Sequence, residues 1–171
     1  MPDPVLRTER LVLRPLTPAR AAALLEGGGS PARGFPRAVD RSLLQEVAAA
    51  GDDACGCWVV EHEGALVGTL GVRGPVSPEG DQELGYGLVD AVHGRGLGTE
   101  AVGAVCAVLE RRPGVRRLTA EVLPGNRASL HLLHRLGFVE VEGGSLPHVR
   151  LARAVPGAPA VRPRIAGRHV C

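Results

Sequence analysis

The sequence predicts a mixed α/β domain, and three observations carry that reading. Strand-like and helix-like hydrophobic periods follow one another in the order β-α-α-β-β-β-α-β-α-β-β, about seven strands and about four helices. Short Gly-containing turns join the middle strands, which makes those neighbours antiparallel, whereas the strand, helix and strand over residues 82–123 form a βαβ-like unit. A chain of 171 residues, 44% of them hydrophobic, is long enough to bury one core of its own.

Each element has a local cause. Arg10–Leu16 alternates apolar and polar side chains as a half-buried strand does. Ala19–Leu25 and Arg41–Ala50 are rich in Ala and Leu at helical spacing, and Gly27-Gly28-Gly29-Ser30-Pro31 separates them. Trp58–His62 and Ala65–Val72 read as two strands of a hairpin closed by Glu63-Gly64, and a Gly/Pro-rich turn over Gly74–Gly80 leads to a third strand, Gln82–Val89. A helix is expected from Thr99 to Arg111, then a strand over Arg117–Leu123, broken by Pro124-Gly125-Asn126. Asn126 suits the N-cap of a helix over Arg127–Leu136, with Leu130, Leu133 and Leu136 on one face and Gly137 as its stop. Phe138–Glu142 and His148–Ala154 read as a last hairpin across Gly143-Gly144. Residues 1–155 are thus expected to form the domain and 156–171, without periodicity, a flexible Pro/Arg-rich tail.

Composition narrows the chemistry. All 20 basic residues are arginine, so lysine nucleophiles, Schiff bases and the P-loop lysine are excluded. One Trp, one Tyr and two Phe argue against a base-stacking platform, and no nucleic-acid partner is expected. No apolar run has the roughly 18 residues of a membrane span, so no membrane partner is expected either. All 18 acidic residues lie before residue 152, leaving the tail basic. Met1-Pro2-Asp3-Pro4 lacks the basic and apolar regions of a secretory signal, and a cytoplasmic, reduced protein is expected. Cys55 and Cys57 would share one face of a strand, without a second ligand pair at zinc-like spacing, so no metal is expected; Cys106 lies in an apolar helical stretch. His131 and His134 read as helix-surface residues, and Trp58 and Tyr86 as core or substrate contacts.

The chemically informative segment is His93-Gly94-Arg95-Gly96-Leu97-Gly98-Thr99-Glu100, between a strand and a helix. Alternate glycines let the backbone turn sharply and present successive N–H groups, and a helix N-terminus adds partial positive charge, so the segment has the chemistry of a pyrophosphate cradle. A purely structural turn is the other reading. The dinucleotide fingerprint has a different glycine spacing, and although Glu121 stands 23 residues beyond Gly98, where a ribose-binding acid would be, a sheet that opens with hairpins does not fit a doubly wound fold.

These residues resemble the GNAT superfamily of acyl-CoA-dependent N-acyltransferases. The family's central motif, Arg/Gln-x-x-Gly-x-Gly/Ala, is matched by His93 through Gly98, with His93 in the place of Arg or Gln. Its later motif, an Asn at a strand end followed by a short helix and Gly-Phe, is matched by Asn126-Arg127-Ala128-Ser129 through Leu136-Gly137-Phe138. Leu6-Arg7-Thr8-Glu9-Arg10-Leu11-Val12-Leu13-Arg14 and Glu83-Leu84-Gly85-Tyr86 resemble the branch that includes ribosomal-protein N-terminal acetyltransferases.

The resemblance implies a mixed, mostly antiparallel sheet with splayed central strands, and an acetyl or related acyl group moved from acyl-CoA to a primary amine of a protein N-terminus or small molecule. It implies that Leu88 and Val89 pair with the pantetheine arm, that Asn126 reaches it, and that the cradle from His93 through Arg95, Gly96, Leu97 and Gly98 to Thr99 holds the pyrophosphate, the amides of Gly94, Gly96, Gly98 and Thr99 making the contacts. Glu83 is the candidate base, sharing a strand face with Gly85 and Gly87, glycines that would leave room for a substrate; a solvated acid is the plainer reading. Many relatives place a Tyr acid where Leu133 stands here, and Ser129 is the candidate substitute, with a helix-capping role beside it. That departure keeps a second class in view, a domain that binds acyl-CoA or a protein without transferring the group. The segment Gly27–Arg41 and the 74–80 loop are expected to select the acceptor, and a homodimer is a further expectation.

Overall fold

The structure, a computed structural model, describes residues 3–50 and 56–157. Its eight strands are β1 (Leu6–Arg7), β2 (Leu11–Pro15), β3 (Cys57–His62), β4 (Ala65–Arg73), β5 (Asp81–Leu88), β6 (Arg117–Val122), β7 (Val139–Val141) and β8 (Val149–Ala154). The four helices are α1 (Pro18–Leu25), α2 (Ala38–Ala49), α3 (Leu97–Leu109) and α4 (Arg127–Arg135). The strand beyond the seven expected is β1. Thr8 makes it: its backbone N–H donates to Leu11 O at 3.0 Å while its hydroxyl accepts from Leu11 N at 3.0 Å, and the chain folds back so that Leu6 faces Leu13.

One sheet runs in the order β1-β2-β3-β4-β5-β6-β8-β7. Strands β1 to β5 form an antiparallel meander, and the β3–β4 hairpin turns on Glu63 and Gly64, both at positive φ (50° and 79°), the geometry that matches strand twist. Among the described residues, β5 and β6 are the one parallel pair of strands, joined through α3. The last hairpin differs from expectation. Strand β8 does pair with β7, Val139 facing Ala152, but the connection spans residues 142–148, and the other edge of β8 runs along β6 from Arg117 to Val122.

Helix α2 begins at Ala38, three residues before the apolar period suggests, because the Asp40 carboxylate accepts from Arg37 N at 2.8 Å and caps the first turn. The same carboxylate accepts from Thr69 Oγ1 at 2.6 Å, tying α2 to β4. A Cβ at Gly87 would lie 2.5 Å from Val39 Cγ1, so α2 packs on that face of β5; the next residue, Leu88, points the other way, toward Gly98 of α3. Two helical layers therefore sandwich the sheet, with Leu70, Leu118, Leu151, Val105 and Leu109 in the core between the sheet and α3. No described helix is long and apolar enough to cross a membrane. Residues 158–171, most of the predicted tail, and Cys55 lie outside the described residues.

Candidate active site

The parallel ladder between β5 and β6 runs from Asp81 facing Arg117 to Leu84 facing Ala120 and then stops, although β5 continues to Leu88 and β6 to Val122. Strand β5 stays with β4, as far as Leu88 opposite Gly68, while β6 stays with β8. The two strands consequently part, and a cleft of about 730 Å³ opens between them. Its lining includes Glu83, Tyr86, Leu88, His93, Gly94, Glu121, Asn126, Ser129 and His148. The phase of the β4–β5 ladder is set by Val89 N, which donates to Val67 O at 2.8 Å; the backbone groups of Tyr86 and Leu88 then face the gap. Val89 itself is buried and spends its N–H on β4, unlike Leu88. The Leu88 carbonyl accepts from His93 Nε2 at 2.9 Å and from Arg37 Nη1, so of its two backbone groups it is the N–H that is left to the gap.

The glycine loop lies at one end of the cleft. Gly94 and Gly96 have φ of 71° and 77°, and Gly96 is the N-cap of α3, which starts two residues earlier than expected. A Cβ on Gly94 would meet nothing within 4 Å, and one on Gly96 would meet only an Arg10 side chain at 3.5 Å, so this stretch of backbone is accessible. Glu100 N bonds Gly96 O at 3.1 Å, whereas the amides of Leu97, Gly98 and Thr99 precede the first intrahelical bond and need an outside acceptor. These features fit a diphosphate. Gly98 differs: a Cβ there would come within 2.7 Å of Leu132 Cδ1, so the close approach of α4 requires this glycine. Arg10 supports the loop from beneath, donating to Arg95 O at 2.8 Å and to Glu100 Oε2 at 2.8 Å, and Thr8 Oγ1 donates to Glu100 Oε1 at 2.5 Å. Partial burial raises the Glu100 carboxyl, but the hydrogen bonds from Thr8 and Arg10 outweigh it and leave it below its ordinary value.

Strand alternation puts Glu83, Gly85 and Gly87 on the α2 face of β5, and the register of Glu83 with Thr119 puts Glu121 of β6 on that face too. The Glu83 carboxylate has neither a hydrogen bond nor an ion-pair partner among the described residues. Its carboxyl is raised above the ordinary value, first by burial and then by the Glu121 charge, against the pull of Arg73 and Arg150. The two glycines do not leave open space as expected. A Cβ on Gly85 would lie 2.5 Å from Arg73 Nε, so they admit the Arg73 side chain and Val39 of α2.

Ser129 lines the cleft from α4, on the opposite face of the sheet from Glu83. Its N–H donates to Asn126 Oδ1 at 3.2 Å, which gives Asn126 the capping role, and its carbonyl is 3.5 Å from Tyr86 Oη. Burial pushes the Tyr86 hydroxyl up to about 12, keeping it protonated. Leu133, in the place of the Tyr acid that many relatives carry, is fully buried. Of the segments expected to select the acceptor, Gly27–Arg41 contributes Arg37 and Val39, but the described lining takes nothing from the 74–80 loop. Tyr86, for which a substrate contact is one of the two readings, lines the cleft, as does Arg37 from the segment expected to select the acceptor; the place of Glu121 beside Glu83 and the cleft position of His148 carry no such signal in the sequence.

The acetyltransferase (GNAT) domain family matches residues 10–139. The chain is 27% identical over 148 residues to the N-acetyltransferase YoaA of Bacillus subtilis, itself uncharacterized, covering 79% of this chain and 82% of that protein. It superposes on a Bordetella pertussis protein described as a GnaT-family acetyltransferase with a TM-score of 0.69 and 29% identity, covering 89% of this chain and 100% of the other. The ribosomal-protein-S5-alanine acetyltransferase of Vibrio fischeri shares the fold, with a TM-score of 0.67 at 21% identity over 92% of this chain and 100% of its own.

Proposed function

The chain belongs to the GNAT acetyltransferase family, and from that premise we propose that it transfers an acetyl group from acetyl-CoA to a primary amine, of a protein N-terminus or a small molecule, by direct attack in the cytoplasm. The observation that carries the reading is the wedge itself. Its parallel ladder breaks after Leu84 and Ala120, and the gap runs from an accessible glycine loop at one end to an unpartnered carboxylate at the other. In this reading the amides of Leu97, Gly98 and Thr99 with the Gly94–Gly96 backbone would hold the diphosphate of the donor, and the Leu88 N–H would pair with its pantetheine arm. The donor supplies a thioester, an acyl carbon activated toward amines.

The remaining work belongs to this chain's own residues. Glu83 would accept the proton that the amine must lose, and a carboxyl raised toward neutrality by burial is better matched to that task than an ordinary one. Ser129 Oγ, or a water bound there, would return a proton to the departing thiolate. Arg37 and His93, both on the Leu88 carbonyl, would hold the strand end in position.

Purified protein incubated with acetyl-CoA and a panel of amines, with free thiol followed over time, tests the proposal. Thiol release that rises with one amine is the expected outcome. Tight CoA binding with no release above the amine-free rate would favour the binding module instead.

A further inference from the structure

Resting on the acyl-transfer reading, we infer that Glu121, held by Ser145, selects a protonated alkylamine as acceptor over an uncharged amine. Glu121 is the first residue of β6 beyond the last rung of the parallel ladder, so its side chain stands where the wedge begins, on the same face as Glu83. Its orientation is fixed from outside the strand pair. Ser145, in the connection between β7 and β8, donates its N–H to Oε1 at 3.2 Å and its hydroxyl to Oε2. Each oxygen keeps a second lone pair for a ligand in the cleft. That same connection brings in His148, whose Nδ1 is 3.1 Å from Ser145 O, so one short segment both orients the carboxylate and lines the cleft beside it.

The arginines that face the pair are already engaged. Arg150 of β8 stands directly opposite Glu121 in register but donates to Asp81 Oδ2 at 2.9 Å, and Arg73 of β4 reaches Glu46 Oε1 at 3.2 Å. Two carboxylates thus line one wall of the cleft with no arginine ion-paired to either among the described residues and with His148 beside Glu121, and an ammonium group supplies the missing charge. Their environments divide the labour. The Ser145 hydroxyl, the largest influence, and the nearby His148 and Arg150 hold Glu121 below its ordinary value, so it stays anionic while Glu83 is the one poised to take a proton. In the step itself an N–H bond of the ammonium breaks and its proton passes to the Glu83 carboxylate; the electron pair left on nitrogen forms the bond to the acyl carbon, the carbon–sulfur bond breaks with its pair staying on sulfur, and the second proton, lost from the now cationic nitrogen, reaches the thiolate through Ser129 Oγ or water. An amine that arrives uncharged offers Glu121 only a neutral N–H donor and gains far less from it.

Benzylamine, protonated at neutral pH, and aniline, neutral there, test the assignment at fixed saturating acetyl-CoA. Glu121→Gln should raise KM for benzylamine about 10-fold and move kcat far less, the loss expected for one charge-assisted contact in a partly solvated site. It should leave KM for aniline within about 2-fold, and Ser145→Ala should move benzylamine in the same direction by a smaller factor. An equal rise for both amines, or no rise for benzylamine, would overturn it. Calorimetric binding of benzylamine to the protein–CoA complex gives a readout that needs no turnover. A Glu121-dependent loss of that binding in a protein that releases no thiol with any amine would defeat the transfer reading and leave this one standing, and the reverse pattern would do the opposite.

Discussion

Glu83 is a carboxylate whose neighbours set its acidity without bonding to it, and this makes its contribution measurable through pH. Glu83→Gln keeps the shape and removes the base, so kcat should fall by about 10²–10³ while CoA affinity measured by calorimetry stays nearly constant. A base acts only when ionised, so the upward displacement of Glu83 places the acidic limb of the wild-type kcat profile above that of an ordinary glutamate. The deficit of Glu83→Gln should shrink at high pH, where more of the amine is already deprotonated in solution; a deficit independent of pH from 6 to 9 would mean a structural Glu83. Ser129→Ala should cost about 10-fold in kcat, because its half-buried side chain lines an open cleft where water can replace the hydroxyl. A larger loss would require the hydroxyl itself rather than water to protonate the thiolate.

At the level of elements, Gly98 is where the glycine loop proposed to hold the donor meets the packing of α4. Gly98→Val places methyl groups against Leu132 of α4, already 2.7 Å from a bare Cβ, and overpacking of this kind costs about 1–3 kcal/mol in urea titrations. CoA affinity should fall with it, and adding Leu132→Ala should restore most of the stability. If stability recovers while CoA affinity does not, Gly98 acts on the ligand as well as on α4. Much of this layout is legible from the chain alone. Periodicity finds the strands and helices, and Glu63-Gly64 and Asn126 mark their turn and cap. What periodicity does not hold is pairing: β7 and β8 read as a simple hairpin, and only the fold shows β8 between β7 and β6. For the same reason Glu121 is invisible as a partner of Glu83, since their shared face depends on a register between residues 36 apart in the chain. The early start of α2 depends on Asp40, whose contact with Thr69 is equally non-local.

For the molecule as a whole, the wedge needs a closed end as much as an open one, and Asp81 supplies it. Its carboxylate takes two bonds from Arg117 of β6, at 2.7 and 2.6 Å, and one from Arg150 of β8 at 2.9 Å, fastening three strands where the ladder begins. Asp81→Ala would leave two half-buried guanidinium groups without their counter-charge and should cost about 2–3 kcal/mol, read from the denaturant midpoint, below the range for fully buried pairs because both arginines touch water. CoA binding should weaken with it; retained affinity in a destabilised variant would show that the open end holds its shape unaided. The place of β8 in the sheet also orders events in time. Strands β1 to β5 follow one another in sequence as in space, with α1 and α2 between β2 and β3, so that half has all its strand partners once residue 88 has been synthesised. Strand β6 has no such option: its outer edge is filled by β8, translated 27 residues after β6 ends, and until then it presents a bare row of N–H and C=O groups. The half of the molecule that holds the cleft therefore matures last, and a nascent chain that stalls before residue 149 carries a finished meander with an incomplete cleft and a sheet edge open to other chains.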